Sequence, residues 1–272
     1  MNATPDFLSR IIERKRVRLA RAMDERGLEE LRADAVRVRG GAKPHALRAA
    51  LARDGRFQII AEIKRASPSL GDICREVSPS ALAREYEAGG AAAISVLTEE
   101  DHFKGSLDDL REVRESTSLP LLRKDFIFDE WQIYEAAAAR ADALLLIVAA
   151  LGDGTLARLR SIAEDELGMD ALVEVHTAEE LRRAARCGAK IIGVNNRNLH
   201  NFEVSLETSV ELVAEAPPGA LLVSESGLST NADLRRLQSL GYRGFLIGEK
   251  LMRANDPAQA LRSLLGEESY AG

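Results

Sequence analysis

From residue 57 onward the chain carries eight short apolar runs: FQIIAEIK, AAAISVL, LPLLRK, ALLLIVA, ALVEVH, KIIGVN, ALLVSES and GFLIGE. They begin at residues 57, 91, 119, 143, 171, 190, 220 and 244, so successive starts lie 19 to 34 residues apart. Each interval has room for a helix and two loops. The runs are almost continuously apolar rather than alternating, which is the pattern of strands covered on both faces, as in a parallel sheet.

The intervals carry helix punctuation. HTAEELRRAARCG offers Thr177 as an N-cap with Glu180 three residues on, which predicts a capping box, and it stops at Gly188. NDPAQALRSLLG offers Asp256 as N-cap, Pro257 at the first helical position and Gly266 just past the end. REYEAGG and LQSLG end in glycine stops of the same kind. Strand and helix therefore alternate eight times, which predicts a (β/α)8 TIM barrel, a fold of typically about 250 residues. The barrel is expected over residues 57–272 and a helical N-terminal extension over residues 1–56. The alternative is an open doubly wound sheet, which normally uses fewer strands and a glycine-rich first turn.

Composition narrows the class of partner. The 272 residues are 46% hydrophobic and 29% charged, enough for a substantial core. A formal net charge of -6 argues against nucleic acid as a partner but leaves room for a local positive site for a small anionic substrate. The longest apolar run, residues 143–151, is far short of the roughly 20 residues that span a bilayer. The N-terminal FLSRIIERKRVRLARAM spaces its charges helically and lacks the apolar stretch of a secretory signal; its basic residues could guide an anion, but such a run more commonly means a solvated helix face. Cys74 and Cys187 stand far apart with no C-x-x-C pair, so neither a disulfide framework nor zinc is indicated, and the cytoplasm is the expected compartment. His45, His102, His176 and His200 show no metal-ligand spacing.

In a barrel the carboxyl ends of the strands converge on one mouth, so polar residues there belong together. The first run ends with Glu62 and Lys64, two apart and on one side of the strand; the third ends at Lys124; the fifth carries Glu174; the sixth leads into Asn195 and Arg197; the seventh ends at Glu225. Any one of these could be a solvated loop charge. Together they are acid–base equipment, with opposite charges holding each other's pKa values apart. Arg123 and Asp125 flank Lys124 on the opposite side of an extended chain and are expected to pair with neighbours. Gly227 and Gly248 would let backbone N–H groups approach an anion, where barrels often hold phosphate, although either glycine could simply serve a turn. Phe103 and Phe126 are candidates for stacking on a ligand or for packing, and Trp131 for packing at a helix start. GDGTLA, residues 152–157, fits a dinucleotide-binding pattern with Glu174 about 20 residues on, but it lies in the fourth unit instead of opening a domain, and it reads as an ordinary loop and cap.

AEIKRASPS, LLRKDFI, LVEVH, IGVNNRNL, SESGL and LIGEKLM, in this order from residue 61 to residue 252, resemble the indole-3-glycerol-phosphate synthase family. The helical extension resembles that family's added segment, which packs over the barrel mouth. The resemblance implies closure of the indole ring of 1-(2-carboxyphenylamino)-1-deoxyribulose 5-phosphate with loss of carbon dioxide and water, without cofactor or metal. It implies Lys124 as the acid that activates the ribulose carbonyl, Glu174 and Lys64 as the pair that handles protons in dehydration with Glu62 nearby, and Asn195 and Glu225 completing the catalytic set. Arg197 and Ser226 would orient substrate; Ser67, Gly227, Gly248 and Glu249 would hold phosphate; Phe103 and Phe126 would complete the substrate-binding residues. The chain departs from the family pattern at SPSLGDI, where Leu70 and Asp72 occupy loop positions that are often basic or neutral, which bears on phosphate affinity. A monomer or weak homodimer is expected. Two other readings share the phosphate site: an aldose–ketose isomerase, which would rely on a different acid–base pair, and a non-catalytic phosphate-binding barrel, which would not need Lys124 and Glu174.

Overall fold

The computed structural model describes residues 7–67, 71–72, 78–199 and 201–267. Leu70, the side chain of Asp72, Cys74 and His200 lie outside the described residues. Eight parallel strands close on themselves: β1 Gln58–Ile63, β2 Ala93–Leu97, β3 Leu121–Lys124, β4 Ala143–Ile147, β5 Asp170–Val175, β6 Ile191–Asn195, β7 Leu221–Glu225 and β8 Gly244–Ile247. Each starts within two residues of the expected position. The ring shuts where β1 pairs with β8, Gln58 opposite Gly244 and Ala61 opposite Ile247, which excludes the open doubly wound sheet.

Twelve α-helices are described: α1 Phe7–Glu25, α2 Leu28–Arg39, α3 Ala46–Leu51, α4 Pro79–Ala88, α5 Leu107–Ser116, α6 Glu130–Ala138, α7 Asp153–Ser161, α8 Ala178–Arg186, α9 Glu207–Leu212, α10 Asn231–Leu240, α11 Glu249–Met252 and α12 Pro257–Leu265. Asp256 caps α12 through Gln259 N, Pro257 opens it and Gly266 ends it, as the sequence predicts. The capping box expected on α8 is only half formed. Thr177 accepts from Glu180 N, but Glu180 Oε2 turns to the N–H of His176 at 2.7 Å instead of that of Thr177.

Two apolar layers hold the barrel together. Ile60, Leu122, Leu145, Leu172, Ile191 and Val223 meet inside it, while alternate residues such as Ile59, Leu121, Leu144 and Val173 meet the surrounding helices. Leu47 and Leu51 of α3 join the inner cluster, so α3 closes the bottom of the barrel. There Arg48 N donates to Asp170 at 2.8 Å and His45 N to Gly168 O at 2.8 Å. Of the extension expected over the mouth, α1 lies there, α2 packs on α6, and α3 sits at the opposite end. The fold thus uses its first helices as a cover and a plug, and leaves the carboxyl ends of the strands as the site of a cavity.

Candidate active site

A cavity of about 400 Å³ opens at the carboxyl ends of the strands. It is lined by Glu62, Lys64, Ser67, Phe103, Lys124, Phe126, Glu174, Asn195, Arg197, Ser226, Gly227, Gly248 and Glu249. Glu225 lies beneath it, fully buried, and its carboxylate accepts from Lys124, which lines the cavity. Thus every candidate residue gathers in one place. Phe103 and Phe126 face each other with ring centroids 6.3 Å apart, leaning rather than stacked.

Lys124 ends β3 pointing inward because strand side chains alternate: Leu122 is interior, Arg123 faces the helices, and Lys124 faces the mouth. Its Nζ stands 2.8 Å from Glu225 Oε2, 3.6 Å from Glu62 Oε2 and 3.9 Å from Glu174 Oε2. Burial favours the neutral amine, but the three carboxylates outweigh it and raise the lysine's pKa. Glu62 is shared, since its Oε1 also meets Lys64 Nζ at 2.9 Å. Burial pushes its carboxyl up, yet the two ammonium groups win and hold it below the usual range. Glu225 goes the other way: burial, reinforced by Glu174 and Glu62, pushes it up to about 7 against the pull of Lys124. Its Oε1 is buried without a hydrogen-bond partner among the described residues. One carboxylate held ionised beside another held near neutrality is the arrangement that separates proton acceptor from proton donor.

The glycines at the mouth have reasons that the sequence does not disclose. A Cβ on Gly248 would overlap the Glu62 carboxylate, so that residue is bare to seat Glu62. Gly193 on β6 makes the same kind of room for Glu225 Oε1. Gly227 sits at φ +79°, and a side chain there would also press on Val204 at 2.6 Å. Glu249, within reach of Arg253 at 3.5 Å, offers an anion nothing but its backbone, because its carboxylate would repel one.

Arg123 and Asp125 pair as expected, at 3.0 Å, and Arg123 Nη1 also meets Glu135 at 2.7 Å. Asp125 has a further partner: Lys15 of α1 reaches it at 2.6 Å with its side chain 8% exposed. This corrects the reading of the N-terminal basic run as a wholly solvated face. Leu8, Ile11, Lys15 and Leu19 share one helical stripe, and that spacing was the available signal. Asn196, beside the expected Asn195, is another unanticipated residue. It is buried and its amide donates to Ser224 Oγ, Glu225 O and Ser226 O at 3.0 Å each, tying the end of β7 to the end of β6. Asn195 Oδ1 in turn accepts from Arg197 N at 3.0 Å, and Arg197 Nη1 donates to Phe202 O at 3.2 Å. Phe7, Lys250 and Arg253 line the cavity too, from segments whose charge and aromatic pattern gives no periodic cue.

GDGTLA forms the outer start of α7. Gly152 and Gly154 border open space, Asp153 binds Arg183 at 2.6 Å, and Glu174 faces the mouth instead of a nucleotide at this turn. Trp131 is buried, its Nε1 donating to Arg26 O at 3.1 Å between α1 and α2.

A closed (β/α)8 barrel whose mouth sets Lys64 and Lys124 among three buried carboxylates defines a barrel enzyme equipped for acid–base chemistry. Residues 8–264 match the family model for indole-3-glycerol phosphate synthase. The indole-3-glycerol phosphate synthase of Rhizorhabdus wittichii is 48% identical over 95% of this chain and 97% of its own length. That of Carboxydothermus hydrogenoformans is 45% identical over 95% and 99%, and that of Koribacter versatilis 52% identical over 76% and 80%. Among solved structures, N-acetylmannosamine-6-phosphate 2-epimerase from Clostridium perfringens superposes with a TM-score of 0.58 at 17% identity, covering 81% of this chain and 95% of its own, a likeness of fold. The chain belongs to the indole-3-glycerol phosphate synthase family.

Proposed function

We propose that the protein closes the indole ring of 1-(2-carboxyphenylamino)-1-deoxyribulose 5-phosphate, releasing carbon dioxide and water to give indole-3-glycerol phosphate. The observation that carries the assignment of roles is the Lys124 ammonium held among Glu225, Glu62 and Glu174 at the centre of the mouth. Ring closure needs a donor at the ribulose carbonyl as the aromatic carbon attacks it. An ammonium that three carboxylates keep protonated is suited to that, because the forming alkoxide is far more basic than the ketone. Decarboxylation then restores aromaticity. The new hydroxyl leaves as water when it receives a second proton, and one proton departs from the neighbouring carbon.

Glu174 and Lys64, on opposite sides of the cavity from one another's strands, are the pair for these last transfers, with Glu62 holding Lys64 at 2.9 Å. Asn195, Arg197, Glu225 and Ser226 orient substrate polar groups, and Glu225 does so through Lys124. Ser67, Gly227, Gly248 and the backbone of Glu249 are assigned to the phosphate, helped by the cavity-lining Lys250 and Arg253. Phe103 and Phe126 flank the aromatic part of the substrate. The extension, residues 1–56, acts as a cover and scaffold for a barrel over 57–272 and supplies no proton carrier.

The protein is assigned to the cytoplasm as a monomer or weak homodimer, with a small phosphosugar anion as its partner and neither nucleic acid nor membrane. The net charge of -6 supports the exclusion of nucleic acid. No helix among the described residues is long and apolar enough to cross a membrane. Mixing purified protein with the anilino-deoxyribulose phosphate should produce indole fluorescence. A folded preparation that leaves the substrate unchanged would overturn the proposal.

A further inference from the structure

Ring closure as proposed delivers two protons to oxygen, first at the carbonyl and then at the leaving hydroxyl, and recovers one from carbon. Each turnover therefore consumes one proton net, balancing the carboxylate charge that disappears with carbon dioxide. The second delivery takes place with substrate filling the mouth beneath α1. A group that has stored a proton beforehand would remove the need for solvent to reach the site at that moment.

His176, the first residue after β5, occupies the position for such a store. Glu174 lines the main cavity, whereas His176 and Glu180 line a second cavity of about 270 Å³ that shares Asn195 and Arg197 with the first. The ring spans two carboxylates: Nδ1 lies 3.3 Å from Glu180 Oε2, and Nε2 lies 3.4 Å from Glu174 Oε1. Nε2 is buried and makes no hydrogen bond among the described residues. Glu180 is fixed in this role because its Oε2 also accepts the His176 backbone N–H at 2.7 Å, the contact that displaces the expected capping box.

We infer that His176 is a positioning residue that keeps Glu174 supplied with the proton for dehydration. The Nε2–H bond of the imidazolium breaks and an O–H bond forms on Glu174 Oε1, leaving a neutral ring protonated on Nδ1 toward Glu180. Glu174 passes that proton to the leaving hydroxyl, and solvent recharges the ring after product departs. The inference rests on the ring-closing activity proposed above.

The surroundings favour the charged ring. Burial pulls the imidazole pKa down, but the Glu180 hydrogen bond and the charges of Glu174, Glu180 and Glu225 outweigh it and raise it above the ordinary histidine value. Among the cations on the neighbouring elements, Arg183 is engaged by Asp153 at 2.6 Å and Arg197 by Phe202 O at 3.2 Å, while Lys124, 2.8 Å from Glu225, also faces the other Glu174 oxygen, Oε2, at 3.9 Å.

The test is a single turnover across pH, with carbon dioxide and indole measured separately. His176→Gln keeps an amide near the Nε2 position but cannot titrate. It should release carbon dioxide within about twofold of the unaltered protein and form indole about tenfold more slowly or worse, with the alkaline fall in indole formation flattened. Glu180→Gln leaves His176 in place and carries the test independently: with one carboxylate charge gone, the alkaline fall should move to lower pH. Unaltered rates and pH profile in both variants, or equal slowing of both products with the profile unchanged, would overturn the role. Absence of both products with the unaltered protein would overturn the activity itself, and this inference with it.

Discussion

Replacing Lys15 with Met should loosen the barrel mouth without removing any proton carrier. Lys15 is the contact that ties the middle of α1 to the residue between Lys124 and Phe126, through Asp125 Oδ1 at 2.6 Å. Removing one partner of a buried ion pair typically costs about 3–5 kcal/mol. Asp125 would keep Thr98 Oγ1 at 2.7 Å, Arg123 Nη2 at 3.0 Å and the Phe126 N–H at 2.8 Å. Those remaining donors reduce the expected cost to about 2–3 kcal/mol, and the methionine stem preserves most of the packing. Urea unfolding followed by Trp131 fluorescence reads this directly, since Trp131 is the single tryptophan and bonds the α1–α2 junction.

The pH dependence has a definite sign. Burial pushes the Asp125 carboxyl up, but Lys15 and Arg123 outweigh it and hold it below 3.8. A depressed carboxyl contributes stability that is present above its unfolded pKa and is lost as pH falls through the folded one. Without Lys15 the depression shrinks, so the stability advantage of the unaltered protein over Lys15→Met should be full near neutral pH and narrow as pH falls below 3.8. In turnover, KM should rise while saturated single-turnover chemistry stays within about threefold, because α1 orders the mouth and the proton carriers lie elsewhere. A stability change below about 0.5 kcal/mol would refute the reasoning, since that is how an exposed pair behaves.

The remaining predictions concern the mouth. Lys124→Ala should abolish carbon dioxide release and indole formation together, whereas Glu174→Gln should let carbon dioxide release outrun indole formation, each loss being on the order of 10²-fold or more; near-normal carbon dioxide release from Lys124→Ala would remove it as the first-step acid. Glu225→Gln should change the pH dependence of stability. A carboxyl raised from 4.5 to about 7 contributes stability present below 4.5 and lost as pH rises toward 7, so the variant's Tm should gain on the unaltered protein from pH 5 to pH 8. A difference flat with pH would count against the raised carboxyl. Gly248→Val should lower kcat as well as weaken inorganic-phosphate inhibition, because it displaces Glu62; an effect on phosphate alone would show that Glu62 tolerates the side chain.

The barrel was legible because its strands are covered on both faces: a parallel strand buried by helices outside and side chains inside has to be apolar throughout, and Ala143–Ile147 is an extreme case. Lys124, Glu174 and Glu225 were legible because a charge at the end of such a run has no place in either layer. What could not be read were choices made between segments distant in sequence. Glu180 has two N–H groups within reach, those of His176 and Thr177, and the sequence pattern alone does not select between them. Lys15 looks like one more charge in a basic helix until the apolar spacing around it is weighed. Gly248 looks like a turn or ligand glycine and Gly193 passes without notice inside an apolar run, because a sequence shows that a side chain is missing without showing which other side chain fills its volume.

Those two glycines make the active site hard to alter one step at a time. Gly193 on β6 and Glu225 on β7 occupy one shared volume across adjacent strands, as do Gly248 after β8 and Glu62 on β1. A mutation that enlarges either glycine evicts a carboxylate, so the useful replacements come only in pairs, such as alanine at residue 193 with a shortened acid at residue 225. Libraries that sample the mouth singly will therefore find these positions immutable, while libraries that couple each glycine to its glutamate will reach sequences that no sequence of neutral single steps connects to this one.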